Sequence, residues 1–170
     1  MFRRTGDLEH AFHRLVDMSS IAWSDFAAQS PSLAGDVRSL LGQYGQGFGY
    51  LATVRRDGGP RVHPVSPVIT EGGLYCFVMP SPKRRDLLRD GRYALHSYPA
   101  ELRNDEAYLT GRARRVTDAG ERERVARAHR AASDVDWQLF ELTVELAMVT
   151  HRDPRREPEH RIWRVAAPPG

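Results

Sequence analysis

A short segment with the sequence SPKRR carries side chains that bind anions. Ser81 offers a hydroxyl, Lys83 an ammonium group, and Arg84 and Arg85 two guanidinium groups. Serine followed by proline is typical of a helix N-terminus, where the serine is the N-cap and Pro82 is the first helical residue. The first turn of a helix has unsatisfied backbone N–H groups and a partial positive charge. The segment therefore predicts a phosphate site, although the residue types alone also fit a simple helix cap beside solvated basic side chains.

Lysine occurs once in the chain, at position 83, although lysine and arginine together number 25. Arginine thus supplies almost all of the generic surface charge, and the position that keeps lysine is a candidate for a role that needs a compact ammonium group. The net charge of +3 reflects this arginine-rich composition. Acids and bases alternate at helical spacing in residues 121–130, which indicates a solvated helix, so no nucleic-acid partner is predicted.

Three strand-like runs precede the SPKRR segment in the sequence. Residues 50–54 alternate in hydrophobicity, residues 61–70 return after an Asp-Gly turn, and residues 74–79 form the third run, which predicts an antiparallel meander. Pro64 and Pro67 interrupt the second run. Because proline cannot donate to a strand ladder, this run must be an edge, be bulged, or face something other than a neighbouring strand.

The remaining elements complete a mainly β (α+β) fold. Further strands are predicted at residues 93–98, 106–117, 137–150 and 160–165. Hairpin connections between the first strands exclude a parallel doubly wound sheet and favour an antiparallel barrel of six to seven strands with N-terminal and flanking helices. The chain is predicted to form one domain, residues 1–170, whose parts are a helical N-terminal extension (1–45), a barrel core (48–118), a helix (119–133) and closing strands (137–166).

Several kinds of site and location are not supported by the sequence. No run of about 18 apolar residues exists that would span a bilayer, and the N-terminus has no apolar stretch of a secretory signal. A cytoplasmic protein without a membrane partner is therefore expected. Cys76 lies in a strand pattern, which predicts a buried, unreactive thiol. His10 and His13 have helical spacing but no third ligand nearby, so no metal site is predicted.

The strand motifs, taken in order, resemble the FMN-binding split-barrel superfamily of pyridoxamine 5′-phosphate oxidase. The motifs are GYLATVRRDGGPRVHPV, GLYCFVMPSPKRRDLLRD, RYALHSY and YLTGRARRVTD. They cover residues 48 to about 118 in the order and at the spacing of that superfamily. The resemblance implies a split β-barrel that binds flavin mononucleotide (FMN).

The resemblance also implies positions for the cofactor. Ser81 and Lys83 would bind the FMN phosphate, with Arg84 and Arg61 as helpers. The isoalloxazine ring would lie against the second strand and the end of the third, largely through backbone atoms. The residues concerned are Val62, His63, Pro64, Val65 and Ser66 on the second strand, and Val78 and Met79 on the third.

The function implied by the resemblance is that of an FMN-dependent oxidoreductase acting on a small organic molecule, with the flavin between two subunits of a homodimer. No catalytic side chain is predicted, because the flavin carries the redox chemistry. The chain ends in EPEHRIWRVAAPPG. This C-terminal segment lacks the R-x-H motif that, near the C-terminus of pyridoxamine phosphate oxidases proper, holds the substrate phosphate, so that reaction is not predicted. Two alternatives stay open: a reductase of the same fold that uses the deazaflavin F-420, and a non-catalytic flavin- or haem-binding protein.

Overall fold

The computed structural model describes residues 20–98, 104–129 and 135–166. Within these ranges the chain forms one antiparallel sheet of eight strands, curled into a half-barrel, and four helices. The helices are α1 (Trp23–Gln29), α2 (Pro31–Gly42), α3 (Pro82–Arg89) and α4 (Ala119–His129). The strands are β1 (Gly49–Val54), β2 (Pro60–Val65), β3 (Pro67–Ile69), β4 (Leu74–Val78), β5 (Arg92–Ser97), β6 (Glu106–Arg115), β7 (Gln138–His151) and β8 (Glu159–Arg164).

The sheet curls because its two ends are consecutive in the chain. The strand order is β2-β1-β5-β6-β7-β4-β3, and only Ser66 separates β2 from β3. The predicted run 61–70 is therefore two strands: the first pairs with β1 and the second with β4. Each half has one strand neighbour, so Pro64 and Pro67 are tolerated at edges. The predicted mainly β split barrel is confirmed, and the break at Ser66 raises the strand number to eight.

Strand β7 is the longest strand, and it pairs with other strands along both of its edges. It pairs with β6 along one edge. Along its other edge it pairs first with β4, through residues 138–141, and then with β8, through residues 146–151. Ile21 fills the gap between them by exchanging backbone hydrogen bonds of 2.9 and 2.7 Å with Val144.

The main core lies between the sheet and the two N-terminal helices. Trp23 and Phe26 of α1 are fully buried, and Phe26 also packs on Trp163 of β8 with ring centroids 4.9 Å apart. Cys76 is fully buried in this core, as predicted. Burial raises the pKa of the Cys76 thiol to about 12, which keeps it protonated and unreactive.

A second, smaller core lies under α4. Val125 of this helix packs against the buried side chains of Val68, Tyr75 and Leu139. The helix begins where the sequence predicts, because the Asp118 carboxylate accepts a 2.7 Å hydrogen bond from the Glu121 N–H. This packing places α4 against β3, which is a strand at one edge of the sheet.

Parts of the sequence predictions fall on segments that are not described. The helical extension predicted for residues 1–45 is represented by α1 and α2, and its first 19 residues, with His10 and His13, lie outside the described residues. Residues 130–133 of the predicted helix 119–133 also lie outside them. No helix within the described ranges combines the length and the apolar character needed to cross a bilayer. Among those same residues, no three His, Cys, Asp or Glu side chains are grouped as a possible metal site.

Candidate functional site

A cavity of about 620 Å³ opens where the β2–β3 bend, the end of β4 and the N-terminus of α3 meet. Its floor is the bend itself, and its rim is formed by the loop that leads into β1. The end of α4 and the residue before β7 form the far wall. The lining residues are Gln46, Phe48, Pro64, Val65, Ser66, Phe77, Met79, Pro80, Ser81, Lys83, His129 and Trp137.

The rim of the cavity depends on a close backbone approach at Gly47. This residue has a φ of 66°, and a Cβ at this position would overlap the carbonyl oxygen of Pro67. Glycine is therefore needed for both conformation and space. It lets the loop lie directly on the β2–β3 bend, which places the neighbouring side chains Gln46 and Phe48 over the cavity.

The helix N-terminus at the cavity has the predicted cap. The Ser81 hydroxyl accepts a 3.4 Å hydrogen bond from the Arg84 N–H and donates one of 2.9 Å to the Met79 carbonyl. Lys83 has no hydrogen-bond or ion-pair partner among the described residues. No Asp or Glu is among the residues that line the cavity. The lone ammonium group and the positive end of the helix therefore make this end of the cavity attractive to an anion.

The far wall of the cavity is flat and aromatic. The rings of Phe77 and His129 are stacked, with centroids 5.5 Å apart and an interplanar angle of 14°, and Trp137 meets Phe77 edge-on at 6.4 Å. Burial lowers the pKa of His129 below its usual value, which favours the neutral imidazole. The Trp137 Nε1–H is buried and has no acceptor among the residues that the structure describes. A buried donor without an acceptor is costly, and a bound ligand with a suitable acceptor would remove that cost.

Six of the residues predicted from the resemblance are brought together here. They are Pro64, Val65, Ser66, Met79, Ser81 and Lys83, and all of them line the cavity.

The other predicted residues lie around the cavity without lining it. Val78 is fully buried in the core, and Val62 is 59% exposed on the outer face of the sheet. The His63 Nε2 atom is buried and has no hydrogen-bond partner in the described part of the chain. Arg61 donates a 2.8 Å hydrogen bond to Asp86, and Arg84 is paired at 3.1 Å with Asp136. Both guanidinium groups are thus engaged elsewhere, and their contact with a cofactor stays a prediction.

The comparison with known families agrees with this arrangement. Residues 37–166 match the sequence model of the family described as pyridoxamine 5′-phosphate oxidase. The chain belongs to this family. Members of the pyridoxamine 5′-phosphate oxidase family commonly bind flavin. A search among curated proteins finds no match.

Solved structures with the same fold include proteins of different described roles. A NimC/NimA family protein from Clostridium acetobutylicum is 21% identical, with a TM-score of 0.56 over 77% of this chain and 94% of that one. A protein related to general stress protein 26, from the same organism, is 12% identical, with a TM-score of 0.56 over 84% and 96%. A haem-binding protein from Mycobacterium smegmatis is 17% identical, with a TM-score of 0.55, and the match covers 74% of this chain and 56% of that one.

The family match extends beyond the motifs noted in residues 48–118, and it includes lining residues that the motifs do not contain. His129 and Trp137 reach the cavity from α4 and from the residue before β7, both C-terminal to those motifs. No spacing in the sequence connects either residue with the SPKRR segment, because only the packing of α4 and β7 brings them close.

Proposed function

We propose that this chain is an FMN-dependent oxidoreductase that acts on a small organic molecule. The observation that carries the proposal is the pairing, within one cavity, of Lys83 at a helix N-terminus with a flat aromatic wall that contains the Trp137 N–H; neither group has a partner among the described residues. FMN has a dianionic phosphate at one end and a flat ring with carbonyl and nitrogen acceptors at the other. The cavity therefore has groups that match both chemistries.

The residues of this cavity fit FMN in charge and in hydrogen bonding. Lys83 and the first turn of α3 would hold the phosphate, since charge-assisted hydrogen bonds to phosphate are the stronger ones. The bend from Pro64 to Ser66 would support the ring through backbone atoms. Trp137 would donate to an acceptor on the ring, which satisfies a buried N–H that is otherwise orphaned.

The chemistry of the proposed reaction belongs to the cofactor. FMN, when bound, supplies transfer of a hydride or of single electrons to and from its ring. The β2–β3 bend and the loop of Gln46 and Phe48 would hold the ring. The aromatic residues Phe77 and Trp137 exclude water from one side. The neutral His129 adds no charge to the wall. None of these roles requires proton transfer by a side chain, so no catalytic residue is assigned.

Titration of the purified protein with FMN tests the proposal. We expect saturable binding at micromolar FMN, followed by flavin absorbance or fluorescence. In Lys83→Ala the dissociation constant should rise by roughly ten-fold to a hundred-fold, because one charge-assisted contact contributes about 1.5–3 kcal/mol. Arg85→Ala is the matched control: it removes a positive charge from the same helical turn but does not line the cavity. Absence of FMN uptake would contradict the proposal, and equal losses in both variants would remove Lys83 from the site.

The same titration separates the alternatives. F-420 added in place of FMN tests the deazaflavin alternative. If F-420 binds more tightly than FMN, the cofactor is assigned as F-420 instead of FMN. A haem-binding function is favoured by one feature, the neutral His129 in the cavity wall, since a neutral imidazole is a common iron ligand. Haem binding would give a Soret band on addition of haemin, and the band would be lost or shifted in His129→Ala.

The proposal includes a homodimer with the cavity beside the subunit interface. Support comes from the outer face of the sheet. There, residues that are paired across neighbouring strands form one row over six strands. It is made of Pro64, Tyr50, His96, Tyr108, Met148 and Ile162. Ile162 is 53% exposed, and Tyr50 also lies on the surface. Exposed apolar side chains that form a continuous face are typical of interfaces.

The cavity is continuous with this outer face. Phe48, which lines the cavity, contacts the ring of Tyr98 at 5.1 Å and that of Tyr50 at 6.2 Å. A second copy of the chain on the face would therefore lie next to the ligand and complete its wall.

Arginine substitution tests the dimer. Tyr50→Arg is expected to weaken self-association by about ten-fold or more in sedimentation experiments, because it would bury an unpaired charge. FMN affinity should fall with it. Leu88→Arg is the control, since Leu88 is 50% exposed on α3, away from this face. A wild-type protein that is monomeric at all concentrations would contradict this part of the proposal.

A further inference from the structure

We propose that a second cavity, which adjoins the first, binds the substrate of the proposed oxidoreductase, and that this substrate is a small apolar carboxylic acid. The second cavity has a volume of about 370 Å³ and is here called the Arg38 pocket. It lies between the C-terminal part of α2, strand β3 and the end of α4, and each of these elements contributes lining residues. Its role as a substrate site rests on the proposed function, because a substrate must lie beside the cofactor that oxidises or reduces it.

Arg38 is the only residue with a permanent charge among the described residues that line this pocket. Its guanidinium donates hydrogen bonds of 3.3 Å to the carbonyl oxygens of Ile69 and Thr70, and it lies 5.8 Å from the centre of the Trp23 ring. These groups hold the guanidinium in place but carry no charge, and Arg38 has no ion-pair partner in the described part of the chain. A guanidinium has five N–H donors, so the donors that remain can bind a carboxylate, whose two oxygens match the guanidinium fork.

The rest of the Arg38 pocket is mostly apolar. Leu41, Val68, Ile69 and Ala128 contribute aliphatic side chains, and the glycines of the loop before β1 contribute backbone alone. A ligand with an apolar body next to its carboxylate gains from both parts of this lining, whereas an inorganic anion gains from Arg38 alone. The volume is near the lower end of the range for ligand cavities, roughly 300–1,000 Å³. These properties favour a small acid with an aromatic or aliphatic body.

Two residues connect the Arg38 pocket with the proposed cofactor site, because Gln46 and His129 line both cavities. His129 also stacks on Phe77 in the aromatic wall of the first cavity. Burial lowers its pKa and favours the neutral ring, so an apolar group can pack against it without desolvating a charge. An acid that is bound by Arg38 and fills the pocket would therefore reach Gln46 and His129, and with them the first cavity. Arg38 would thus orient the substrate through a contact remote from the reacting atoms.

Titration of the full chain with 4-fluorobenzoate, followed by fluorine-19 NMR, tests the inference. The matched neutral probe is 4-fluorobenzamide, which has the same ring and a similar shape without the charge. We expect saturable binding of the acid with a dissociation constant of about 0.1–1 mM, because Arg38 is exposed and the ligand is small. In Arg38→Gln the affinity for the acid should fall by about ten-fold, the size of one charge-assisted hydrogen bond, and the affinity for the amide should stay within about two-fold. Arg156→Gln is the control, because it removes an exposed arginine from the loop between β7 and β8 and should leave both affinities unchanged.

The neutral probe separates loss of the charge from damage to the pocket. Arg38 also bonds the backbone of β3, so its replacement could disturb the lining itself. Arg38→Lys keeps the charge and should keep a preference for the acid over the amide. Equal losses of both probes in Arg38→Gln would overturn the carboxylate site. A wild-type protein that does not prefer the acid to the amide would overturn it as well.

Failure of the carboxylate site and failure of the proposed FMN function are distinguishable. The titration with 4-fluorobenzoate needs no FMN, so a protein that does not take up FMN still tests the Arg38 pocket. Binding of the acid without any uptake of FMN would contradict the proposed function and leave the carboxylate site in place. Simultaneous binding of FMN and the acid supports two adjoining sites. Competition between them would overturn the inference, because the acid would then occupy the first cavity.

Discussion

Replacing Asp86 with alanine is expected to lower the free energy of unfolding by about 3 kcal/mol. The substitution removes the carboxylate that binds Arg61, Arg89 and Thr53, and it leaves two guanidinium groups without their counter-ion. Breaking a buried ion pair typically costs about 3–5 kcal/mol. The lower end applies here because the side chains of Arg61 and Arg89 are 30% and 38% exposed and water can solvate them in part.

Denaturant unfolding measures this loss, and Asp136→Ala is the matched control. Asp136 is also paired with an arginine, Arg84, but its side chain is 68% exposed. Exposed pairs contribute about 0–1 kcal/mol, so the control should be nearly neutral. Similar losses in the two variants would show that burial of Asp86 is not what makes its ion pairs important.

The contribution of Asp86 should also depend on pH. Burial alone would raise the pKa of Asp86, but the hydrogen bonds from Arg61, Thr53 and Arg89 outweigh it and the pKa lies below its usual value. A carboxyl group with a lowered pKa in the folded state stabilises the fold fully above its unfolded pKa of about 4 and loses that effect as the pH falls through the folded value. The difference in stability between wild type and Asp86→Asn should therefore be constant near neutral pH and shrink below about pH 4. A difference that grew on acidification would contradict the assignment.

Replacing Gly111 with alanine is expected to cost about 3 kcal/mol of unfolding free energy, at the upper end of the usual range for overpacking. Gly111 lies at the irregularity between β6 and β7, and a Cβ there would overlap the carbonyl oxygen of Thr143. That oxygen belongs to the neighbouring strand and also accepts a 3.0 Å hydrogen bond from the Tyr93 hydroxyl. Since backbone cannot move aside as a flexible side chain can, β6 and β7 would have to separate locally.

Two other glycines provide controls for the effect of the methyl group itself. Gly72 meets only the Thr70 hydroxyl oxygen at 3.9 Å, so Gly72→Ala should be close to neutral. Gly35 lies in α2 with no atom near its would-be Cβ, and Gly35→Ala should stabilise the protein by roughly 0.5–1 kcal/mol, because alanine favours the helix. Thermal or denaturant unfolding of the three variants gives the comparison. A neutral Gly111→Ala would mean that the strands are not as close as described.

Local signals in the sequence were sufficient for most of the elements. The Ser81-Pro82 pair predicts the start of α3, and Asp118 predicts the start of α4, because each cap is a contact within one turn. Alternating hydrophobicity predicts the strands, because each strand has one buried face. The single predicted strand 61–70 is wrong in one respect. Its prolines signal a problem with pairing, but which neighbour each half takes depends on β1 and β4.

The residues of the candidate site could be predicted only where they belong to motifs that are continuous in the sequence. Pro64, Val65, Ser66, Met79, Ser81 and Lys83 belong to motifs that the resemblance covers, and they meet at the cavity. Arg61 has the right residue type, but its guanidinium is bound to the buried Asp86, one turn into α3. The strength of that ion pair depends on the burial of Asp86, and burial is a property of the packed fold.

By itself, the sequence determined the element types, the mainly β barrel and the helix cap at the SPKRR segment, since these follow from neighbours in the chain. Only the tertiary structure decided which basic side chains reach the cavity. Lys83 lines it, whereas Arg61 is bound to Asp86 and Arg84 to Asp136. It also brought His129 and Trp137 to the aromatic wall. The physical reason is that the direction of a side chain and the presence of a partner depend on contacts between residues far apart in the chain, which no local pattern encodes.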